Sequence, residues 1–225
     1  MRLFIDIISC TSLPASHSYG TFLDSNVVHH MAGYIYIAGS FHNVKRSVCG
    51  TSGSWIDNDP HFWTDPPTWG ICRPDLRKRM VVGDTVFFVL PKASKYPQMV
   101  FAYLRGKEII THMQAYERLD LISKRMGNKN PNGNIIVDAD GAYNRFDAGA
   151  HRRNFEKIKN RYVVGDPSHS RFLRAKDIMK HAPEFLSMLT TVMGRVGKRP
   201  IDVITRHGIS AMDNEVQQLI DWLET

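Results

Sequence analysis

The chain has 225 residues, a formal net charge of +7 and 43% apolar residues. A chain of this length can bury a substantial core, and no run of about 18 or more apolar residues predicts a membrane span. Its three cysteines are too few and too scattered for a disulfide framework, which favours a reducing, cytoplasmic location. The positive charge favours a polyanionic partner, such as nucleic acid or a nucleotide.

The first half of the chain predicts mostly strands. Apolar, β-prone runs occur at Arg2–Ile8 and Gly33–Gly39, and the first of them lacks the cleavage region of a signal peptide. An irregular segment at about residues 40–70 follows, and its aromatic content favours an ordered loop that lines a site. Two adjacent strands are then predicted at Thr85–Leu90 and Gln98–Arg105.

The middle of the chain predicts one helix between strands. Thr111 is a suitable cap for a helix that runs over Thr111–Met126. Short strands are expected at Asn134–Val137 and Arg161–Val164, and the residues between them, Asp138–Asn160, form a polar loop. The first three quarters of the chain therefore mix strands with one internal helix.

The last part of the chain predicts helices. One is expected over Pro183–Gly194, and Ser210 with Asp213 resembles a capping box at the start of another. We therefore expect an α+β fold. A domain at residues 1–175, which contains the aromatic loop, precedes a helical extension at residues 176–225.

A basic segment leads into the predicted central strand. Arg73, Arg77, Lys78 and Arg79 carry four positive charges within seven residues, and Asp75 offsets one of them. Guanidinium groups bind phosphate through two parallel hydrogen bonds, so this segment suits a nucleotide or a nucleic-acid backbone. The alternative is a solvated basic loop.

A second basic run lies within the polar region, at His151–Arg161, and includes Arg152 and Arg153. It is a further candidate surface for phosphates. The same region contains residues that could act as an acid or a base in an enzyme, although aspartates in loops more often form turns. These residues are Asp138, Asp140, Asp147 and His151.

Three tryptophans lie close to the first basic segment. Trp55, Trp63 and Trp69 fall within fifteen residues. A nucleobase stacks well on an indole ring, which contributes about 1–3 kcal/mol per base. The alternative is that the indoles hold a long loop onto the core. We expect the indoles and the basic segment to converge on one cleft.

Motifs for metal binding or nucleophilic catalysis are missing from the sequence. The spacing of His29, His30, His42, Cys49 and Cys72 does not match a zinc site. The sequence has no GxSxG, HExxH or Walker loop. We therefore expect no metal and no cofactor.

Part of the chain resembles a known family. The segments Gly70–Arg77, Val82–Val86 and Met99–Leu104 are similar to conserved elements of the nucleotide modification associated domain 2 family. Those elements are a Cys-Lys-Pro-x-Ile-Arg motif, a Val-Gly-Asp strand entry and an apolar run, and Arg73 and Leu76 replace the usual lysine and isoleucine. Shorter matches occur at Tyr116, Lys129–Pro131, Asn134–Ile135, His151 and Gly194–Arg199.

This resemblance implies a link to systems that make or sense modified bases in phage and bacterial DNA, including defence systems. The Val-Gly-Asp entry is also similar to PUA-like domains of the EVE, ASCH and YTH groups. Those domains are small β-barrels with flanking helices, and several bind a modified base in an aromatic pocket. The resemblance thus implies a PUA-like, partly open β-barrel.

We expect a binding module that recognises a modified nucleotide or modified-base DNA in an aromatic pocket with a basic rim. The alternatives are an enzyme acting on a modified base or nucleotide, such as a glycosylase or a group transferase, and an interaction subunit whose helical tail packs on a partner protein. The expected ligand-binding residues are Trp55, Trp63, Trp69, Cys72, Arg73, Arg77, Lys78, Arg79, His151, Arg152 and Arg153.

Overall fold

A computed structural model describes residues 33–38, 59–92, 97–131, 133–147, 149 and 151–225. The expected strand Arg2–Ile8 lies outside these residues, as does most of the aromatic loop with Trp55. The histidines and cysteines weighed for a zinc site also lie outside them, with the exception of Cys72.

The described strands form one mixed sheet. They are β1 (Gly33–Ile37), β2 (Thr68–Trp69), β3 (Thr85–Val89), β4 (Val100–Ile110), β5 (Tyr162–Gly165), β6 (Arg171–Phe172) and β7 (Ile209–Ala211). Their order is β2-β5-β4-β3-β1-β7, and β6 also pairs with β4. The pair β1–β3 is parallel and the other pairs are antiparallel. Within the described residues the sheet is open, because its edge strands β2 and β7 do not pair with each other.

Helices accompany this sheet. They are α1 (Pro74–Arg77), α2 (His112–Glu117), α3 (Phe155–Ile158), α4 (Ala175–His181), α5 (Phe185–Met193), α6 (Pro200–Ile204) and α7 (Asp213–Glu224). Short 3₁₀ helices occur at Leu119–Lys124, Arg145–Asp147 and Arg152–Asn154. The fold is therefore α+β, as the order of elements predicts.

The prediction of a long helix from Thr111 to Met126 is wrong, because the helix is much shorter. The side chain of Thr111 accepts a hydrogen bond from the backbone of Gln114 and starts α2, as predicted. The helix ends at Glu117 because Arg118 adopts an extended backbone, with ψ at 131°. The Arg118 side chain forms ion pairs with Glu108 on β4 and with Asp120, and these contacts hold the turn in place.

Two other local predictions also differ from the structure. The segment Asn134–Val137 is not a strand, because its pairing is limited to isolated bridges at Ile135 and Val137. Ser210 does not cap the last helix but lies in β7, and α7 begins at Asp213. The cap is formed by Glu215, whose carboxylate accepts a hydrogen bond from the backbone N–H of Met212.

The C-terminal region shares the main hydrophobic core. Strand β7 pairs with β1, and α7 buries Val216, Leu219 and Leu223 in the same cluster as Ile35 and Phe87. About 25 cal/mol is gained for each square ångström of apolar surface buried, so this packing ties the C-terminal segment to the sheet. The sheet and the C-terminal helices together support α1 and the residues around it.

Candidate functional site

A buried carboxylate fixes the chain just before α1. Asp59 accepts hydrogen bonds from the backbone N–H of Gly70 at 2.6 Å and of Ile71 at 2.9 Å, and also from that of Cys72. The side-chain amide of Asn134 donates to the same carboxylate at 3.3 Å. Burial raises the pKa of Asp59, and these N–H groups oppose that effect by stabilising the charged form. The segment that resembles the family motif is therefore anchored at its start.

Arg77 is buried within this anchor rather than exposed to a ligand. Its guanidinium donates to the backbone oxygens of Cys72 at 3.1 Å and Ile71 at 3.0 Å, and to that of Arg161. The side chain is 0% exposed, and burial lowers its pKa while Asp59 opposes the shift. Arg77 therefore holds the loop and α1 together, and no surface of it is open to a phosphate.

The two basic segments of the sequence meet at one cleft. The cleft lies between α1 and the segment that contains α3 and has a volume of about 940 Å³. Its lining residues are Pro74, Asp75, Lys78, Asn154, Glu156, Lys157, Asn160 and Arg161. Residues that are some eighty positions apart in the chain thus face the same space.

Three cations without an acidic partner line this cleft: Arg161, whose guanidinium is held by backbone oxygens, and two exposed lysines. Asp75 is paired with Arg73 at 2.6 Å, and Glu156 is paired with Lys159 at 2.7 Å, so both acids that line the cleft already have a cationic partner. Lys78 and Lys157 are exposed and form no ion pair with any described residue. An anion that enters the cleft would find two lysine ammonium groups available.

Arg73 links the cleft to a neighbouring turn. Its guanidinium binds both oxygens of Asp75 and donates to the backbone oxygen of His207 at 2.5 Å. It also lies over the ring of Tyr36, 5.4 Å from the ring centre. Because its donors already bind Asp75 and His207, Arg73 serves to position neighbouring groups and is not a main ligand contact.

Arg79 and Cys72 lie on either side of Arg73 in the chain. Arg79 is exposed, and its guanidinium lies 5.4 Å from the ring centre of Tyr34 on β1. Cys72 is half-buried, and its backbone oxygen accepts a hydrogen bond from Nε of Arg77 at 3.1 Å. Arg79 remains available at the surface as a further cation.

A second polar cluster joins Tyr143, Asp147 and His151. The carboxylate of Asp147 accepts hydrogen bonds from the Tyr143 hydroxyl and from the backbone N–H of His151 at 3.0 Å. The imidazole Nδ1 of His151 lies 2.9 Å from the same carboxylate. This contact fixes Nδ1 as the donor and leaves Nε2 available. The cluster has the form of an oriented carboxylate–histidine pair.

The pKa values of His151 and Asp147 shift in opposite directions from their ordinary values. The hydrogen bond to Asp147 raises the pKa of His151, and burial opposes this rise only in part. Burial acts to raise the pKa of Asp147, but the hydrogen bonds from His151 and Tyr143 outweigh it and hold that pKa below its ordinary value. The arrangement therefore favours a charged imidazolium beside a charged carboxylate.

The other residues of the polar loop have simpler environments. One carboxylate oxygen of Asp138 accepts hydrogen bonds from the backbone of Asp140 at 3.1 Å and Ala142 at 2.9 Å, so Asp138 forms a turn. Asp140 is exposed beside it. Arg152 lies over the ring of Tyr143 at 5.2 Å, and Arg153 is exposed.

The described tryptophans do not line the cleft. Trp69 is 0% exposed and stacks on Tyr36, with 5.5 Å between the ring centres. Trp63 is half-buried against Phe172, with 4.9 Å between the centres. Of the cations predicted to bind a ligand, Lys78 alone is among the residues that line this cleft, together with Lys157 and Arg161 of the second basic run, and neither Trp63 nor Trp69 lines it.

Two features of this site are not predictable from the sequence. Lys157 lies in the second basic run of the sequence. Its position in the same cleft as Lys78 depends on how α1 and α3 lie relative to each other, which the sequence does not show. Asp59 had no sequence signal, because its partners are mostly backbone N–H groups. Among the residues the structure describes, no group of three or more histidine, cysteine or acidic side chains could hold a metal, and no helix could cross a membrane.

Comparison with known proteins identifies no family. No protein-family model matches this chain, and no curated protein has significant sequence similarity to it.

Proposed function

We propose that this chain is a binding module that holds a nucleotide or a nucleic-acid strand by its phosphates in the cleft between α1 and α3. The observation that carries the proposal is the pair of exposed lysines, Lys78 and Lys157, in a cleft whose acids are already neutralised. Phosphate groups are the commonest polyanionic ligands for such a surface. A cytoplasmic location belongs to the same proposal.

The resemblance to the nucleotide modification associated family supports this choice of ligand. The residues that carry the resemblance, Gly70–Arg77, form the anchor held by Asp59 and one wall of the cleft. An open mixed sheet with helices packed on it is also compatible with a PUA-like architecture. We therefore keep the PUA-like fold and recognition of a modified base as parts of the proposal.

A modified base would need an aromatic surface near the bound phosphate. Of the two described tryptophans predicted to bind a ligand, Trp63 retains exposed surface and packs on Phe172, whereas Trp69 is buried. A flipped or single-stranded base could stack there or on Trp55, while phosphates occupy the lysines. In this arrangement the lysines set affinity, and the aromatic contact sets the preference for the modified base.

Binding to oligonucleotides tests the proposal. Single strands that contain cytosine, 5-methylcytosine or 5-hydroxymethylcytosine are titrated by fluorescence anisotropy at about 50 mM and about 200 mM salt. The Lys78→Ala/Lys157→Ala variant should bind all of them about tenfold more weakly or worse, because the two exposed ammonium groups of the cleft are lost.

A matched double variant provides the control. Lys176 and Arg195 are exposed, form no ion pair with described residues and do not line the cleft. The Lys176→Ala/Arg195→Ala variant removes the same charge and should change affinity by about twofold or less. Equal losses in the two double variants, or no binding by the unmodified protein at low salt, would contradict the proposal.

The carboxylate–histidine pair favours an enzyme as a second candidate function. At a pH above its raised pKa His151 is neutral, and with Nδ1 held by Asp147 its Nε2 could then accept a proton from a water molecule. In glycosidic hydrolysis, the water oxygen would bond to C1′ of the nucleoside while the base leaves with the bonding electrons and takes up a proton. Incubation with the same oligonucleotides should then release free base, and His151→Ala should abolish the release. No release by the unmodified protein would exclude this candidate.

A further inference from the structure

Two residues other than glycine have a left-handed backbone in the described part of the chain. Arg73 has φ at 51°, and Thr205 has φ at 67° with ψ at 167°. The second conformation is essentially confined to glycine, and Thr205 is β-branched, so its backbone is strained. Strain of this kind persists where the surrounding structure holds it, and such positions cluster at functional sites.

These two strained positions belong to one contact. Arg73 donates to the backbone oxygen of His207, two residues after Thr205, at 2.5 Å. The Thr205 hydroxyl accepts a hydrogen bond from the backbone of His207 at 3.3 Å and donates to the backbone oxygen of Gly208 at 3.2 Å. Gly208 has φ at 77°, and a Cβ there would lie 2.9 Å from the backbone oxygen of Ile35. The turn at 205–208 is therefore held between β1 and the beginning of α1.

This turn presents further positive charge beside α1. The side chains of Arg206 and His207 are exposed, and Arg206 forms no ion pair with any residue described in the structure. Arg73 at the start of α1 contacts the turn, whereas Lys78 at the end of α1 lines the cleft. A helix rises about 1.5 Å per residue, so these two ends are roughly 7 Å apart. Asp75, the ion-pair partner of Arg73, also lines the cleft, so the turn and the cleft are adjacent along α1.

We propose that the turn at 205–208 and the cleft form one continuous surface for a single nucleic-acid strand, with one phosphate on Lys78 and Lys157 and a neighbouring phosphate on Arg206. The inference rests on the proposed function and narrows it from any phosphate-bearing ligand to a strand. Arg73 acts as a positioning residue, because its guanidinium holds the turn and its charge is already paired with Asp75.

Comparison of a strand with a mononucleotide tests this inference. The probes are a fluorescently labelled oligothymidylate of about 12 residues and dTMP as a competitor. The Arg206→Ala variant should bind the oligonucleotide about fivefold more weakly and lower the slope of log affinity against log salt by about 0.7, the value for one lost contact with a single strand. Its affinity for dTMP should stay within about twofold of the unmodified protein, because the lysines remain.

A single-charge control separates this result from a general effect of charge. Lys176→Ala removes one exposed cation on α4, which does not line the cleft, and should leave oligonucleotide binding nearly unchanged. If Arg206→Ala behaves like Lys176→Ala while Lys78→Ala/Lys157→Ala still loses affinity, the extended surface is wrong and the cleft proposal survives. If Arg206→Ala weakens dTMP and the oligonucleotide equally, the site takes a single phosphate and the inference is again wrong. Failure of the unmodified protein to bind either probe overturns both proposals.

Discussion

Arg77 and Arg161 each donate a side-chain hydrogen bond to the backbone carbonyl of the other. Nε of Arg161 lies 2.9 Å from the oxygen of Arg77, and Nη1 of Arg77 donates in the reverse direction. Arg161 also donates to the backbone oxygen of Met80. This reciprocal contact joins α1 to the chain that enters β5. It therefore fixes the two walls of the cleft relative to each other, which would lower the ordering cost of binding the proposed ligand.

Replacing Arg77 should destabilise the whole protein. Arg77→Met keeps much of the buried volume but leaves three backbone oxygens without their donor and removes the cation near Asp59. Loss of one partner from a buried charged network typically costs about 3–5 kcal/mol. Urea unfolding, followed by circular dichroism, measures the change in the free energy of unfolding.

Arg153→Met provides the comparison for this prediction. Arg153 is exposed and makes no side-chain hydrogen bond with described residues, so its replacement should change stability by about 0.5 kcal/mol or less. A similar small effect for Arg77→Met would show that the buried guanidinium is not needed to hold α1.

The two parallel strands of the sheet, β1 and β3, were more predictable than the end of the helix after Thr111. Apolar runs bounded by glycine or aspartate predicted strands at Gly33–Gly39 and Thr85–Leu90, and the structure has buried strands at Gly33–Ile37 and Thr85–Val89. The helix after Thr111 ends early because Arg118 pairs with Glu108 across a turn. That pairing depends on where the end of β4 lies in space, which local helical spacing does not reveal.

In the basic segment, the sequence predicts where the positive charges lie along the chain but not which of these side chains are exposed. The sequence places Arg73, Arg77, Lys78 and Arg79 close together, and the structure separates them by burial. Arg77 points into the protein while its neighbour Lys78 faces the cleft, because α1 is one short turn that is anchored on one side. Likewise, Trp69 is buried because β2 pairs with β5. Neither the anchoring of α1 nor the pairing of β2 with β5 can be predicted from the sequence of this segment alone.

The pair of His151 and Asp147 should make stability depend on pH. Since the pKa of His151 is raised in the folded state, its contribution is fully present below the unfolded pKa of about 6.5 and is lost as pH rises through the folded value. The stability difference between the unmodified protein and His151→Gln should therefore be larger at about pH 5.5 than at about pH 8.5. The opposite order would contradict the assignment.

Nuclear magnetic resonance measures the same effect directly. The imidazole resonances of His151 should titrate above the ordinary value of about 6.5. In the Asp147→Asn variant the charge that stabilises the imidazolium is gone, so the pKa of His151 should fall. His169 is a suitable internal reference, because it pairs with Asp166 and is not part of the cluster. A fall in both histidines would point to a global change instead.

Lys124 should have the reverse dependence on pH. It is buried, its ammonium lies 2.5 Å from the backbone oxygen of Thr64, and burial lowers its pKa from 10.5 to about 7. Between these two values the unfolded chain binds more protons than the folded chain, so stability should rise with pH, by up to about 1.4 kcal/mol per unit. Lys124→Met removes this group. The stability of the unmodified protein relative to the variant should therefore increase from about pH 7 to about pH 10, and a flat difference in urea unfolding would show that Lys124 keeps an ordinary pKa.

Gly70→Ala should damage the anchor that supports the cleft. A Cβ at Gly70 would lie 2.5 Å from ring carbons of Tyr162 and 2.8 Å from the backbone oxygen of Asn134, so the chain would have to move away from the Asp59 carboxylate. Forcing extra atoms into a packed interior costs about 1–3 kcal/mol. Gly127→Ala is the matched control, because a Cβ there meets nothing within 4 Å. Thermal unfolding of the two variants should therefore differ clearly, with only Gly70→Ala less stable than the unmodified protein, and equal melting temperatures would mean that this close approach does not constrain the loop.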